Sequence, residues 1–343
     1  MRDSALYGAN RSGRARVVPS GEDDWKMARS GRLAAALFSS FLIVVVACGG
    51  RTSEQAEPGG PAPQAATGVI TFGSVSLNPA REHEVFRPFA DHVASRLREV
   101  GIARGRVVVV DSASKMVEEL NSGRVDVYID SPFPVGFVWK RTDTDLLLRR
   151  WKRGSETYRS VVFARADSGV ESVSDLAGKM IAFGEPFSTS GFLMPKAALS
   201  STGLRLDNYE DAAASVPPDR VGYVFSNDAE NTLFWVLKGK VDVGAVNEDY
   251  YGGLAGSRIS ELEIVLTTEA VPRNIVCVRQ SLDPLVTDAL RKALLGMDED
   301  EEGRAVLKGF EETAKFDLCQ GSPERQLAGI MDLMQYVEED VGQ

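Results

Sequence analysis

Ser188, Thr189 and Ser190, followed by Gly191, place three hydroxyls and a glycine in succession after an apolar run (Met180 to Phe183) and a Gly184-Glu185-Pro186 turn. The apolar residues beyond them predict a helix that opens at this run. The first backbone N–H groups of a helix have no partner within it, and the aligned peptide dipoles place roughly half a positive charge there. With hydroxyls that both donate and accept, such an end could hold a phosphate-like or carboxylate group without any Arg or Lys. Gly191 would let that group approach the backbone. The competing reading is that Ser188 or Thr189 only caps the helix.

Positioning such a site requires strands and helices around it. Val69 to Val75 reads as a strand running into a loop with Ser74, Ser76 and Asn78 at its end. Val85, Phe86, Phe89, Val93 and Leu97 fall at helical spacing, so one face of that helix is buried. Val107 to Val110 is a second strand, Lys115 to Leu120 a helix, and Val125 to Ile129 a strand that empties into Asp130-Ser131-Pro132-Phe133-Pro134. This alternation predicts an α/β lobe with a largely parallel sheet. Ligands of such sheets lie beyond the carboxyl ends of the strands, where Ser74, Ser76, Asp130 and Ser131 would be. For Asp130 and Ser131 the alternative is stabilisation of the proline turn.

The run Leu120 to Val127 (Leu-Asn-Ser-Gly-Arg-Val-Asp-Val) is echoed by Leu237 to Val243 (Leu-Lys-Gly-Lys-Val-Asp-Val), which predicts a second lobe built like the first. Its strand empties into Asn247-Glu248-Asp249. Asp126 and Asp242 read as turn or capping residues. Asn227 is a further candidate for ligand contact, while the competing reading for Asn227, Asp228 and Glu230 is that at least one of them caps the helix through Trp235 to Leu237. Trp139 and Trp151 read as packing residues, and Arg149, Arg150, Lys152 and Arg153 as a basic cluster that could attract anions, with a solvated loop the preferred reading. Tyr158 to Arg165 and Ile275 to Arg279 are extended. If both cross between lobes, residues 69–163 and 275–343 form one lobe and 164–274 the other, with a hinge that closes on a ligand.

The ends of the chain speak to its compartment. Arg29 and Arg32 precede an apolar run from Leu33 to Ala47, then Cys48-Gly49-Gly50. That is the order of a secretory leader, and at about 15 residues the run is shorter than the roughly 20 a spanning helix needs. Val45-Val46-Ala47-Cys48 resembles the lipobox of bacterial lipoproteins, in which the Cys is lipidated. Met27 is the expected start of this leader (27–48), with residues 1–26 outside it and 49–68 a flexible tether rich in Gly, Pro and Ala. Lipidation of Cys48 leaves Cys277 and Cys319 to pair in an oxidising compartment or to remain buried thiols. Only His83 and His92 are present, so no metal site or cofactor is expected. A formal net charge of −10 argues against nucleic acid as a partner.

The body from Val69 to about Val337 resembles the phosphate, phosphite and phosphonate ABC-transporter substrate-binding proteins, members of the two-lobed type II periplasmic-binding α/β fold. The resemblance is carried by Gly123-Arg124-Val125-Asp126-Val127 with Ser131-Pro132-Phe133, by Tyr158 to Val162 with Arg165 to Gly169, and by Asp175 to Lys179. It continues through Phe183 to Pro186, Ser188 to Gly191, and Gly239 to Asp242. It implies that Ser188, Thr189 and Ser190 hold the oxyanion, and that an acidic residue beyond the later Val-Asp strand contributes, with Asn247 and Asp249 as candidates. The chain departs from the pattern where relatives often have His before an acidic residue and this sequence has Asn227-Asp228. It departs again where they often have Tyr in the first lobe's binding loops and this sequence reads Ser114 to Met116 and Val135. Aromatic cover for an organic tail is lost, which favours a smaller or differently shaped ligand.

The resulting expectation is a monomeric, lipid-anchored extracytoplasmic protein that captures a small oxyanion between its lobes and delivers it to a permease and ATPase. An alternative keeps the fold but couples it to a membrane histidine kinase as a sensor. A secreted hydrolase would need a nucleophile with a base in reach, and neither a Gly-x-Ser-x-Gly run nor a His near Ser188 to Ser190 is present.

Overall fold

The computed structural model describes residues 66–318, 323–337 and 340, all within the compact unit 60–343. The expected leader, Cys48, all but the end of the tether, and Cys319 lie outside the described residues. The chain builds its first sheet with β1 (Gly68–Val75), α1 (Pro79–Ser95), β2 (Ile102–Val110), α2 (Ala113–Asn121), β3 (Val127–Asp130), α3 (Pro132–Trp139) and β4 (Thr144–Arg150). After β5 (Thr157–Tyr158) it builds the second with β6 (Ser160–Arg165), β7 (Met180–Phe183), a π-helical turn (Thr189–Leu193) continuing as α4 (Met194–Ser200), β8 (Leu206–Asn208) and β9 (Val221–Phe225). That sheet is completed by α5 (Ala229–Leu237), β10 (Val243–Asn247), α6 (Glu248–Ala255) and β11 (Leu262–Thr267). It returns through β12 (Val271–Pro272) to β13 (Asn274–Arg279), α7 (Pro284–Leu295), α8 (Glu301–Gly309), β14 (Phe316–Asp317) and α9 (Pro323–Leu333). No helix among the described residues is long and apolar enough to cross a membrane.

Each sheet has six strands, in the orders β14-β4-β13-β3-β1-β2 and β11-β6-β10-β7-β9-β8. Their centres correspond: β1 lies parallel between β2 and β3, as β7 does between β9 and β10. Neither sheet is wholly parallel, because β13 runs against β3 and β4, and β6 against β10 and β11. Both reversed strands follow directly on a crossing, so they enter their sheet from the side facing the other lobe. The two crossings pair with each other through Val271 with Tyr158 and Pro272 with Thr157. The expected boundary between 163 and 164 therefore moves: it would cut β6, which is hydrogen-bonded to β10 and β11 along its length.

The repeat seen in the sequence is a structural one. Gly123 and Gly239 take φ of 70° and 66° after α2 and α5, a region that a residue with a Cβ enters only at a cost. Three residues on, Asp126 accepts the Thr71 N–H at 2.8 Å, and Asp242 accepts the Met180 N–H at 2.9 Å. Each carboxylate thus ties the start of one strand to its parallel neighbour, β3 to β1 and β10 to β7, rather than only closing a turn. On α1 the predicted face is buried through Phe86, Phe89 and Val93. Phe89 stacks on Phe310 at 4.1 Å between ring centroids, which joins the helix to the C-terminal part of the same lobe.

Arg149 and Arg150 do not belong to a solvated loop. Arg149 and Arg150 end β4 and are buried. Arg149 pairs with Asp317 at 2.6 Å and Glu156 at 3.0 Å. Arg150 donates to Thr313 Oγ1 and the Phe310 carbonyl and lies 3.7 Å from the centroid of the Phe310 ring. Buried guanidinium groups persist only when paired in this way.

Candidate functional site

Helices follow the carboxyl ends of β3, β7, β9 and β10, and their first turns face one cleft between the lobes. A cavity of about 480 Å³ opens there, lined by Gly184, Glu185, Ser188 and Ser190 after β7, Asn227 and Asp228 after β9, and Asn247, Asp249 and Tyr250 after β10. Arg81 and Arg153 reach it from the first lobe. An adjoining cavity of about 140 Å³ shares Ser188, Ser190, Asn247 and Tyr250 and adds Asp130, Ser131, Lys152, Tyr158, Thr189, Arg273 and Asn274.

The hydroxyl run divides its tasks. Ser188 Oγ accepts the Gly191 N–H at 2.9 Å and so caps the turn. A Cβ on residue 191 would lie 2.7 Å from that oxygen, so this glycine makes room for the cap rather than for an incoming group. Thr189, 1% exposed, accepts the Phe133 N–H and donates to Ser131 Oγ, each at 2.9 Å. Ser131 is the cap residue of α3 but makes no capping bond of its own. A second-lobe hydroxyl therefore satisfies a free N–H at the start of a first-lobe helix. The Ser190 carbonyl accepts from Ser160 Oγ at 2.6 Å, which holds its hydroxyl toward the cavities.

Asn227 has φ 69°, a left-handed conformation that Asn tolerates better than most residues. Asp228 caps α5 through Asn231 N–H, and Asn247 caps α6 by accepting Tyr250 N–H at 3.0 Å. Asp249 Oδ2 lies 2.6 Å from Arg273 Nη1. The N–H bonds of that nitrogen are not aligned on the carboxylate, so the contact is an ion pair without a hydrogen bond.

Cations reach the cleft from the segment after β4. Lys152 pairs with Glu311 at 2.7 Å, and Arg153 donates to Tyr250 Oη at 2.9 Å with its guanidinium 4.3 Å from the ring centroid. Arg153, Glu311 and Glu312 have φ of 55°, 51° and 53°. Backbone bonds from Arg153 N–H to Glu311 and from Gly154 N–H to Glu312 lock the two strained segments together. Strain of this kind costs about 1–3 kcal/mol per residue and is kept where the surroundings over-determine it.

The carboxyls at the cleft respond to burial and to one another. Burial pushes Asp130 up to about 6, against the opposing bonds from Ser131 N–H and Tyr128 Oη. Burial and the neighbouring Asp130 and Asp228 charges push Glu185 up to about 7. Burial raises Glu82 as well, although Ser74 Oγ donates to it at 2.5 Å. Glu311 goes the other way: burial opposes its ionisation, but Lys152 and Arg150 outweigh that and hold it at about 2.

Of the residues singled out in the sequence, Ser188, Ser190 and Asn247 line both cavities, Thr189, Asp130 and Ser131 the smaller, and Asn227 and Asp249 the larger. Ser74 lines neither; its hydroxyl is turned to Glu82. Cys277 is a buried free thiol on β13, and the other half of the expected pair is outside the described residues. Sequence reasoning named Lys152 and Arg153 in a basic cluster able to attract anions but preferred a solvated loop, and it passed over Glu185, Tyr250, Arg273 and Asn274 as site residues. The signal was a Lys-Arg-Gly step directly after a strand and an Arg-Asn pair beside Pro272 on an extended crossing. Among the described residues no cluster of His, Cys, Asp or Glu is arranged to hold a metal ion.

Two lobes joined by paired crossings, with helix starts converging on an interlobe cleft, define a type II periplasmic-binding protein. Residues 74–320 match the family model described as "ABC transporter, phosphonate, periplasmic substrate-binding protein", and the chain belongs to that family. It is 24% identical over 295 residues to the phosphate-import protein PhnD of Mycolicibacterium smegmatis, covering 82% of this chain and 86% of that one. XAC2383 from Xanthomonas citri bound to ATP superimposes with a TM-score of 0.74 at 29% identity, over 80% of this chain and 100% of that one. PhnD1 from Prochlorococcus marinus in complex with methylphosphonate shares the fold, with a TM-score of 0.61 at 18% identity over 79% of this chain and 98% of that one.

Proposed function

We propose that this chain captures a small phosphorus oxyanion, phosphonate, phosphite or phosphate, between its lobes, and that Ser188, Ser190 and Asn247 contact it. The observation that carries the reading is that these three residues stand at helix starts on the wall common to both cavities. Donors and helix dipoles fixed there favour negative charge without reorganising. A ligand touching residues of both lobes shifts the hinge toward the closed form by its differential affinity for the two states, and no bond is made or broken. The family implies a permease and ATPase as recipients; lipid attachment through Cys48 is part of the same proposal.

A second reading gives the oxyanion a larger organic part. The volume of about 480 Å³ in the outer cavity exceeds what a lone oxyanion fills, and the similar XAC2383 is described bound to ATP. Tyr250 supports this reading, since it supplies from the second lobe an aromatic wall that the first lobe's loops lack.

Thermal-shift screening of the purified protein against phosphate, phosphite, methylphosphonate, sulfate and ATP tests both. A ligand at 100 times its Kd adds about 2.7 kcal/mol of stability, a shift that is easily read. Ser188→Ala combined with Ser190→Ala is expected to abolish the shift while leaving the ligand-free melting temperature within a few degrees. A double variant that responds as fully as the parent would sink the assignment.

A further inference from the structure

Three side-chain polar atoms among the described residues are buried without a hydrogen-bond partner: Trp151 Nε1, Arg273 Nη1 and Asn274 Oδ1. Such atoms are uncommon in folded proteins, because a buried donor or acceptor left unpaired has lost its water for nothing. Two of the three are adjacent in sequence, and both residues line the cavity of about 140 Å³. Arg273 and Asn274 are 3% and 4% exposed.

Both sit on the return crossing, between β12 and the body of β13, and their backbone is held in place. Arg273 N–H donates to the Glu156 carbonyl of the outgoing crossing at 2.8 Å, and Asn274 pairs with Arg150 at the end of β4. The guanidinium lies 4.7 Å from the centroid of the Tyr158 ring. Asp249, 2.6 Å from Nη1, balances its charge, yet its oxygen does not receive the N–H bonds. Lys152, Ser190 and Asn247 bring further donors to the same cavity, and Asp130 brings an acceptor.

A guanidinium can only donate hydrogen bonds, and an amide oxygen can only accept them. An occupant that satisfies both atoms must offer an acceptor and a hydrogen together. A phosphorus oxyanion that keeps one acid hydrogen does this with adjacent oxygens. Sulfate, equal in shape but without a hydrogen at neutral pH, leaves the amide oxygen unpaired.

We propose that the return crossing is itself part of the binding site: Arg273 and Asn274 contact the ligand, and the smaller cavity takes a phosphoryl or phosphonyl group that retains one hydrogen. This rests on the oxyanion reading above. It adds a cation where the hydroxyl run supplies only neutral donors, and it makes two residues of the hinge determinants of specificity.

Calorimetric titration of phosphate, methylphosphonate and sulfate into the full-length protein, Arg273→Gln, Arg273→Lys and Asn274→Leu tests the proposal. The parent is expected to bind phosphate or methylphosphonate about tenfold or more tightly than sulfate, the usual penalty for one buried group left unpaired. Arg273→Gln should weaken every oxyanion about tenfold, the scale of a charge-assisted bond, and Arg273→Lys should recover part of that loss. Asn274→Leu should weaken the phosphorus ligands and leave sulfate within about twofold, so that the preference narrows. Ligand-free melting temperatures report folding, and Asn274→Ser stands in should the leucine variant unfold. If folded Arg273→Gln and Asn274 variants bind as the parent does, the cavity holds water alone and the proposal is overturned. A parent that prefers sulfate overturns it too. A parent that binds none of the three overturns the underlying oxyanion reading instead.

Discussion

Thr189 shows how one hydroxyl can serve both lobes. Its two bonds, from Phe133 N–H and to Ser131 Oγ, cross the cleft, and Val in its place keeps the shape while removing both. Leaving the buried Phe133 N–H unpaired costs about 1–3 kcal/mol. Thr189→Val is therefore expected to lower the urea midpoint and to enlarge the radius of gyration seen by small-angle scattering, while Thr189→Ser should do neither. Unchanged scattering for the Val variant would mean that the bond does not hold the lobes together. The same residue explains a limit of sequence reading: Ser-Thr-Ser-Gly identifies hydroxyls at a helix start, but not that the middle one faces the other lobe.

The α2–β3 and α5–β10 units are two copies of one device whose strength differs with burial. Asp126, with its side chain 9% exposed, holds Thr71 N–H and pairs with Arg279 at 2.8 Å. Asp242, with its side chain 40% exposed, holds Met180 N–H and has Lys179 only at 3.8 Å. Removing one partner of a buried ion pair costs about 3–5 kcal/mol, whereas a half-exposed bond contributes about 1 kcal/mol. Denaturant titration should accordingly find Asp126→Ala several times more damaging than Asp242→Ala. Equal losses would contradict the assignment of unequal burial to the two copies. The elements themselves were legible: periodicity on α1, the Gly-x-Val-Asp-Val steps and the apolar runs of β1, β7 and β13 all state their structure locally. The edges of the second sheet were not, since β8 and β11 are partly polar strands specified by the neighbours they join.

For the molecule as a whole, the cleft carboxyls set a pH dependence. Asp130 and Glu185 bind protons more tightly folded than unfolded, at about 6 and about 7 against ordinary values of 3.8 and 4.5. Their contribution is fully present below those ordinary values and is lost as pH rises through 6 to 7. Glu311, held at about 2, contributes stability above its ordinary 4.5 that is lost as pH falls toward 2. The ligand-free protein should thus melt highest near pH 4 and lower at pH 8, with Asp130→Asn combined with Glu185→Gln flattening the alkaline side; a double variant that keeps the full slope would place its origin elsewhere. By itself the sequence determined the alternation of strands and helices, the repeated Gly-x-Val-Asp-Val step and the hydroxyl run, because local pattern and spacing carry those, and its motifs carried the family resemblance. Only the tertiary structure decided that Lys152, Arg153, Arg273 and Asn274 meet Ser188 and Ser190 at one cleft. They come from segments far apart in the chain, and a Lys-Arg step or an Arg-Asn pair has the same local appearance whether solvent or another lobe lies opposite. That choice is made by the crossings, which fold the two ends of the second lobe back against each other and bury what lies between.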